Sequence, residues 1–260
     1  MSHRVLVLFS GTGSVEDALH DEYGDKVAFI SCDNNPMFSP THLCDVQVFP
    51  YKSYPPGYFH AVWASPPCTE YSVAKTVGVR DYESADANVV TALTIIDYLK
   101  PQFFFIENPR GHLRLRPFMK PLEPYMRLCT YCMYGTPFRK PTNIWTNAPL
   151  PTPLKVCTKK LPCHFVTPDG RHPATAQSGC HKRNGVSTDV GTPRHHAYRI
   201  PKDLVLHLFS IILHSENDLQ DGPEPLLRQT GHEISLQTVK EGGGGGEGDD
   251  GILQDGVCEV

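Results

Sequence analysis

No apolar run in the chain reaches the roughly 18 residues that a bilayer crossing requires, so a membrane-spanning protein is not expected. A secretory leader is not expected either, because Met1-Ser2-His3-Arg4 runs straight into a strand-like segment. The nine cysteines lack the short, regular spacings of a disulfide scaffold, and their number is odd. That pattern suits a reducing, intracellular compartment and a soluble protein. Internal repeats are absent. Periodic apolar residues all but vanish between Ala148 and His196, a stretch rich in Pro, Gly, Thr, Lys and His.

What is present is unevenly charged. The formal net charge of −4 is concentrated at one end, where Glu216 to Val260 carries eleven acidic and two basic residues and the run Gly242–Gly246. That composition reads as a disordered tail. Between Arg139 and Lys202, eleven Lys and Arg face only Asp169 and Asp189. A basic segment beside a less charged body is the footprint expected for a polyanion partner.

The first two-thirds alternates between strand and helix signals. Arg4–Ser10, Lys26–Cys32, His60–Ala64 and Gln102–Ile106 are short apolar runs, and Arg127–Met133 and Asn143–Thr146 look like two more strands. Ser14 is placed to cap a helix over Val15–Tyr23 that Gly24 closes. Tyr82–Lys100 repeats apolar residues at helical spacing until Pro101, and Pro201 opens a last helix. Such alternation predicts an α/β fold with a Rossmann-like, doubly wound sheet. Boundaries follow the texture: residues 1–147 as a cofactor-binding and catalytic domain, 148–197 as a short basic recognition region, 198–215 as a helix packing back, and 216–260 as the acidic tail.

Chemistry-bearing residues fall repeatedly at the C-terminal ends of the strand candidates, the edge where open α/β sheets bind ligands. Phe9-Ser10-Gly11-Thr12-Gly13-Ser14 follows one strand and opens a helix, so a ligand can approach the backbone closely. Asp33, at the end of the next strand, is placed to accept hydrogen bonds from ribose hydroxyls. In Ser65-Pro66-Pro67-Cys68 two prolines stiffen the backbone before a strand-end cysteine, as a fixed nucleophile requires. Glu107 follows the apolar Phe103-Phe104-Phe105-Ile106, a setting suited to sharing or donating a proton.

In that order, the Gly-rich turn, acidic strand end, Pro-Pro-Cys and Glu-Asn-Pro resemble the C5-cytosine DNA methyltransferase family, in its compact phage and viral form. The resemblance covers roughly residues 4–214 and extends to Arg110-Gly111, to Arg139–Asn147 and to Arg199-Ile200-Pro201. It implies an S-adenosylmethionine site at Phe9, Ser10, Gly11, Thr12, Gly13, Asp33, Asn34, Asp45, Val46 and Pro66. It also implies Cys68, with Ser72 in the same motif, as a nucleophile adding to carbon 6 of a flipped cytosine in double-stranded DNA, Glu107 as the group holding the base, and Arg139 as a catalytic support. Lys159, Lys160, Arg171, Lys182, Arg183 and Arg194 are the expected phosphate contacts. Departures are Thr69 after the cysteine, Pro109 in Glu-Asn-Pro, a reduced Gln-x-Arg-x-Arg motif and an absent Gly-Asn-Ser near the C-terminus.

Cys157, Cys163-His164 and Cys180-His181 invite a zinc reading, but no pair has the tight spacing of a zinc knuckle, and no metal ligand is assigned. No obligate protein partner is inferred. A viral source would put the protein in the host cytoplasm or nucleus, where it could serve restriction-modification or mask viral DNA. Rival activities are exocyclic-amine DNA methylation, RNA cytosine methylation and a catalytically silent DNA-binding role. The first fits Ser65-Pro66-Pro67 but leaves Glu107-Asn108 without a task.

Overall fold

The computed structural model describes residues 2–176 and 198–214, with backbone only beyond 210, and the backbone of residues 182–183, 186–187 and 190–191. Cys180, His181, Arg194 and the acidic segment 216–260, singled out above, lie outside the described residues, and the side chains of Lys182 and Arg183 are not described. The main elements are β1 (His3–Leu8), α1 (Ser14–Tyr23), β2 (Val27–Asp33), β3 (His42–Leu43), β4 (Ala61–Ala64), α2 (Tyr82–Leu99), β5 (Phe103–Pro109), β6 (Met126–Thr130), β7 (Pro141–Thr146) and α3 (Lys202–His214).

One seven-stranded sheet has the order β3-β2-β1-β4-β5-β7-β6. The strands from β3 to β5 run parallel, and β7 is antiparallel to both β5 and β6. The chain works outward from β1 to β3 and then returns to β4 on the other side. This places a topological switch point between β1 and β4, where a ligand crevice is expected.

The strands read as continuous apolar runs because both sheet faces are covered. Alternation sorts their side chains. Val5, Val7, Trp63, Phe103 and Phe105 join one core with α1 and α3, while Leu6, Leu8, Val62, Phe104 and Ile106 join another with α2. Each of the largest fully buried apolar side chains contributes about 1.5–3 kcal/mol by leaving water. Val89, Leu93, Ile96 and Leu99 supply the buried face of α2, as their spacing predicts. Its N-cap is Asp81, whose side chain accepts from Ser84 N at 3.0 Å; Lys100, in a left-handed conformation, ends it before Pro101.

Two local expectations are corrected. Ser14 is the first helical residue rather than the cap; the N-cap is Gly13, at φ 68, and Ser14 Oγ instead accepts from Ile200 N at 3.1 Å. The hydroxyl therefore ties α1 to the chain entering α3. The strand expected over Arg127–Met133 stops at Thr130 and tightens into a 3-10 turn over Tyr131–Tyr134. Among the described residues, no helix is long and apolar enough to cross a membrane.

Candidate active site

The strand ends converge on a cleft of about 780 Å³ at the switch point, a size typical of small-molecule sites. Its floor is the loop between β1 and α1. Phe9 holds φ 56, and Gly11 and Gly13 hold φ 52 and 68, so the chain leaves β1 through an unusually tight left-handed path. For Phe9 that geometry costs on the order of 1–3 kcal/mol, a strain that characteristically gathers at ligand sites. Asp33 holds the loop in place: one carboxylate oxygen accepts from Gly11 N at 2.8 Å and the other from Asn35 N at 2.8 Å. Asn34 also lines the cleft, as do Ser10 and Thr12. Gly13 sits just behind them at the helix cap. Across the opening lie Asp45, Val46 and Pro66. One turn into α1, Glu16 carries a buried carboxylate oxygen with no partner among the described residues. Burial pushes that carboxyl up to about 7, and the nearby Asp17 and Asp33 charges add to the shift.

Cys68 and Glu107 reach the same cleft from β4 and β5. The Pro-Pro-Cys segment is fixed at both ends. Ser65 N donates to Leu8 O at 3.2 Å, and the buried Asn108 amide donates to Pro66 O at 2.9 Å. Beyond the cysteine, Tyr71 N donates to Cys68 O, and Tyr71 O accepts from His112 N at 2.8 Å. Gly111 passes so close to Tyr71 O that a Cβ there would collide with this backbone oxygen. The Asn-Pro-Arg-Gly stretch after Glu107 is thus a brace for the cysteine loop.

Glu107 is buried in the antiparallel ladder opposite Ile144. Its Oε1 accepts from Tyr131 Oη at 2.7 Å. Burial holds the Tyr131 phenol far above its ordinary range, so it stays protonated and donates. Burial also pushes the Cys68 thiol up; the Lys140 ammonium opposes this and the Glu107 charge reinforces it. A resting thiol therefore sits beside a cation that favours its thiolate.

Of the neighbouring pair Arg139 and Lys140, the cleft takes the lysine rather than the expected arginine. Arg139 is exposed, does not line the cleft, and sends its guanidinium to Cys157 O at 3.3 Å. Lys140 lines the cleft, and its ammonium lies 4.6 Å from the centre of the Tyr131 ring. At the entry to β7 neighbouring side chains point to opposite faces, so Arg139 is directed away from the lining that Lys140 joins. Tyr131 was also missed, since nothing in sequence ties that turn to Glu107.

Other expected residues lie apart. Ser72 Oγ accepts from Ala74 N at 3.1 Å outside the cleft lining. Lys159 and Lys160 are exposed on a turn closed by Thr158 N donating to Leu161 O at 3.0 Å, and Arg171 pairs with Asp169 at 3.7 Å. The metal reading also changes. Cys157 and Cys163 gather with Cys132 and His172, whereas His164 is exposed and packs on Phe165.

No family model matches the chain. Over 228 residues it is 29% identical to a protein of Frog virus 3 (isolate Goorha) described as a probable DNA (cytosine-5)-methyltransferase, covering 80% of this chain and 99% of the viral one. Among solved structures, it is similar to the Entamoeba histolytica methyltransferase EhMeth, with 17% identity and a TM-score of 0.46 over 60% of this chain and 56% of that one. A Spodoptera frugiperda DNMT2 mutant is similar at 19% identity and a TM-score of 0.41, over 62% and 57%. The chain thus spans little more than half the length of these two solved proteins. The viral relative is matched along nearly its whole length, and the chain carries its own motifs in the order that resembles the C5-cytosine DNA methyltransferase family.

Proposed function

We propose that the protein methylates carbon 5 of cytosine in double-stranded DNA, with S-adenosylmethionine as donor and Cys68 as a transient covalent nucleophile. The observation that carries this reading is the meeting of Cys68, Glu107 and Lys140 in one cleft with the glycine loop and Asp33. The cleft's donor set fits the cofactor. Asp33 retains acceptor capacity for ribose hydroxyls beyond its two backbone bonds, and Phe9 and Val46 offer apolar walls. When bound, the cofactor supplies an electrophilic methyl group.

The chain's own residues supply the rest. Cys68 Sγ, deprotonated with help from Lys140, adds to carbon 6 and turns the ring into an enamine nucleophilic at carbon 5. Glu107 holds the ring N3 and exocyclic amine, with its own position fixed by Tyr131. After methyl transfer the carbon-5 proton leaves and Cys68 is expelled. A base reaches this pocket only outside the stack, so the target cytosine is flipped. Lys159, Lys160 and Arg171, exposed on the segment beyond β7, are the proposed phosphate contacts.

The test is covalent trapping with cofactor and matched DNA and RNA duplexes carrying 5-fluorocytosine. A denaturant-stable adduct on DNA, lost in Cys68→Ala, is expected. An adduct confined to RNA would move the substrate, and methyl transfer without an adduct would indicate exocyclic-amine chemistry. Absence of both would leave a binding role.

A further inference from the structure

Away from the cleft, three cysteines and a histidine meet with no role in the reaction. Cys132 lies on the 3-10 turn after β6, Cys157 and Cys163 flank the Thr158–Leu161 turn, and His172 follows in the same segment. Their ligand atoms all lie within 4.8 Å of one another. His172 Nε2 is 3.3 Å from Cys163 Sγ and 3.8 Å from Cys157 Sγ. A tetrahedral zinc centre, with bonds of about 2.3 Å to sulfur and 2.0–2.1 Å to nitrogen, has ligand–ligand edges of roughly 3.5–3.8 Å.

We propose that Cys132, Cys157, Cys163 and His172 bind one Zn²⁺ in a closed, structural site. Three soft thiolates with one imidazole form a donor set that zinc favours over oxygen-seeking cations. Buried cysteines that merely fill a core turn toward apolar neighbours, whereas here the sulfurs face one another and an imidazole nitrogen. The surroundings also fit. Cys163 N donates to Cys157 Sγ at 3.4 Å, and Cys157 N is anchored on Thr130 Oγ1 at 2.7 Å. Arg139, through its bond to Cys157 O, puts a cation beside a centre whose three thiolates exceed the metal's charge by one.

Binding forms three Zn–S bonds and one Zn–N bond and releases three thiol protons to solvent, with no change of oxidation state. The metal would clasp the segment from Cys157 to His172 onto the end of β6. The clasp is next to Tyr131, which holds Glu107, and its tip displays Lys159 and Lys160. Irregular spacing hid the set from sequence: one ligand comes from before β7, and the fourth is His172 rather than the Cys180-His181 pair.

The experiment measures zinc in the full chain, purified without chelators, by elemental mass spectrometry. About one zinc per chain is expected, falling below about a tenth of that in Cys163→Ser and His172→Ala. Cys180→Ser and His164→Ala should keep the full amount. Cobalt exchanged into the wild-type protein should give thiolate-to-metal charge transfer and tetrahedral visible bands, a readout independent of whether any variant folds. Metal-free wild-type protein that also refuses cobalt would overturn the proposal. So would zinc lost in Cys180→Ser, or a Cys157–Cys163 disulfide in protein handled under reducing conditions.

Discussion

The sheet domain and the segment that follows β7 are held together by different physics. From β1 to β7, position is set by ladder hydrogen bonds and by two cores pressed against opposite sheet faces. From Ala148 to Ala176, few large apolar side chains are buried, and order comes from single bonds. Thr130 N donates to Lys155 O, Lys155 N donates to Tyr134 Oη, and Cys157 N donates to Thr130 Oγ1. The first region tolerates the loss of one polar contact because the dispersion contacts of both cores remain. The second has no such reserve. Precision in the cleft is thus built from bulk packing, and placement of the basic segment from a few named atoms.

Tyr131 is the joint between the two, and cutting it sharpens the contrast most. Tyr131→Phe keeps the ring under Lys140 and removes only the hydroxyl that Glu107 accepts. A lost bond to a buried charge is worth about 1.5–3 kcal/mol, so kcat should fall roughly 10–100-fold. Unchanged kcat in single-turnover assays would sink the assigned role. Lys140→Gln should act less strongly. Lys140 draws the Cys68 thiol down against burial, so its removal raises the pKa further. The rate, which climbs with pH as the thiolate fraction grows, should then climb at higher pH, leaving activity near neutrality about tenfold lower. A pH profile superimposable on the wild type would show that Lys140 acts elsewhere. Gly111→Ala probes the rigid region alone and should have the smallest effect on chemistry. Its Cβ would drive into Tyr71 O and unseat the brace, costing about 1–3 kcal/mol of stability in denaturant unfolding. Wild-type stability and activity together would mean that the two loops separate freely.

The same division explains what sequence revealed. Continuous apolar runs marked β1, β2, β4 and β5 because buried parallel strands must be apolar on both faces. Cys68 and Glu107 were legible because stiff or apolar neighbours announce them. That Lys140 rather than Arg139 lines the cleft was not legible, because a one-residue step reverses side-chain direction at the start of β7, which no spacing records. Tyr131 and His172 act through contacts that only the folded chain creates. Ser14 looked like a helix cap because its chemistry suits that role, but Gly13, already left-handed, reached the position first.

The turn at Thr158–Leu161 has a consequence for evolution. Its ends are fixed by Cys157 and Cys163, and its closure uses the Thr158 side chain and backbone atoms, while the side chains of Lys159, Lys160, Leu161 and Pro162 point into solvent. Substitutions among those four leave both cores and the cleft untouched. The turn can therefore exchange its exposed residues, and with them its local charge, while the geometry of the cleft is inherited unaltered.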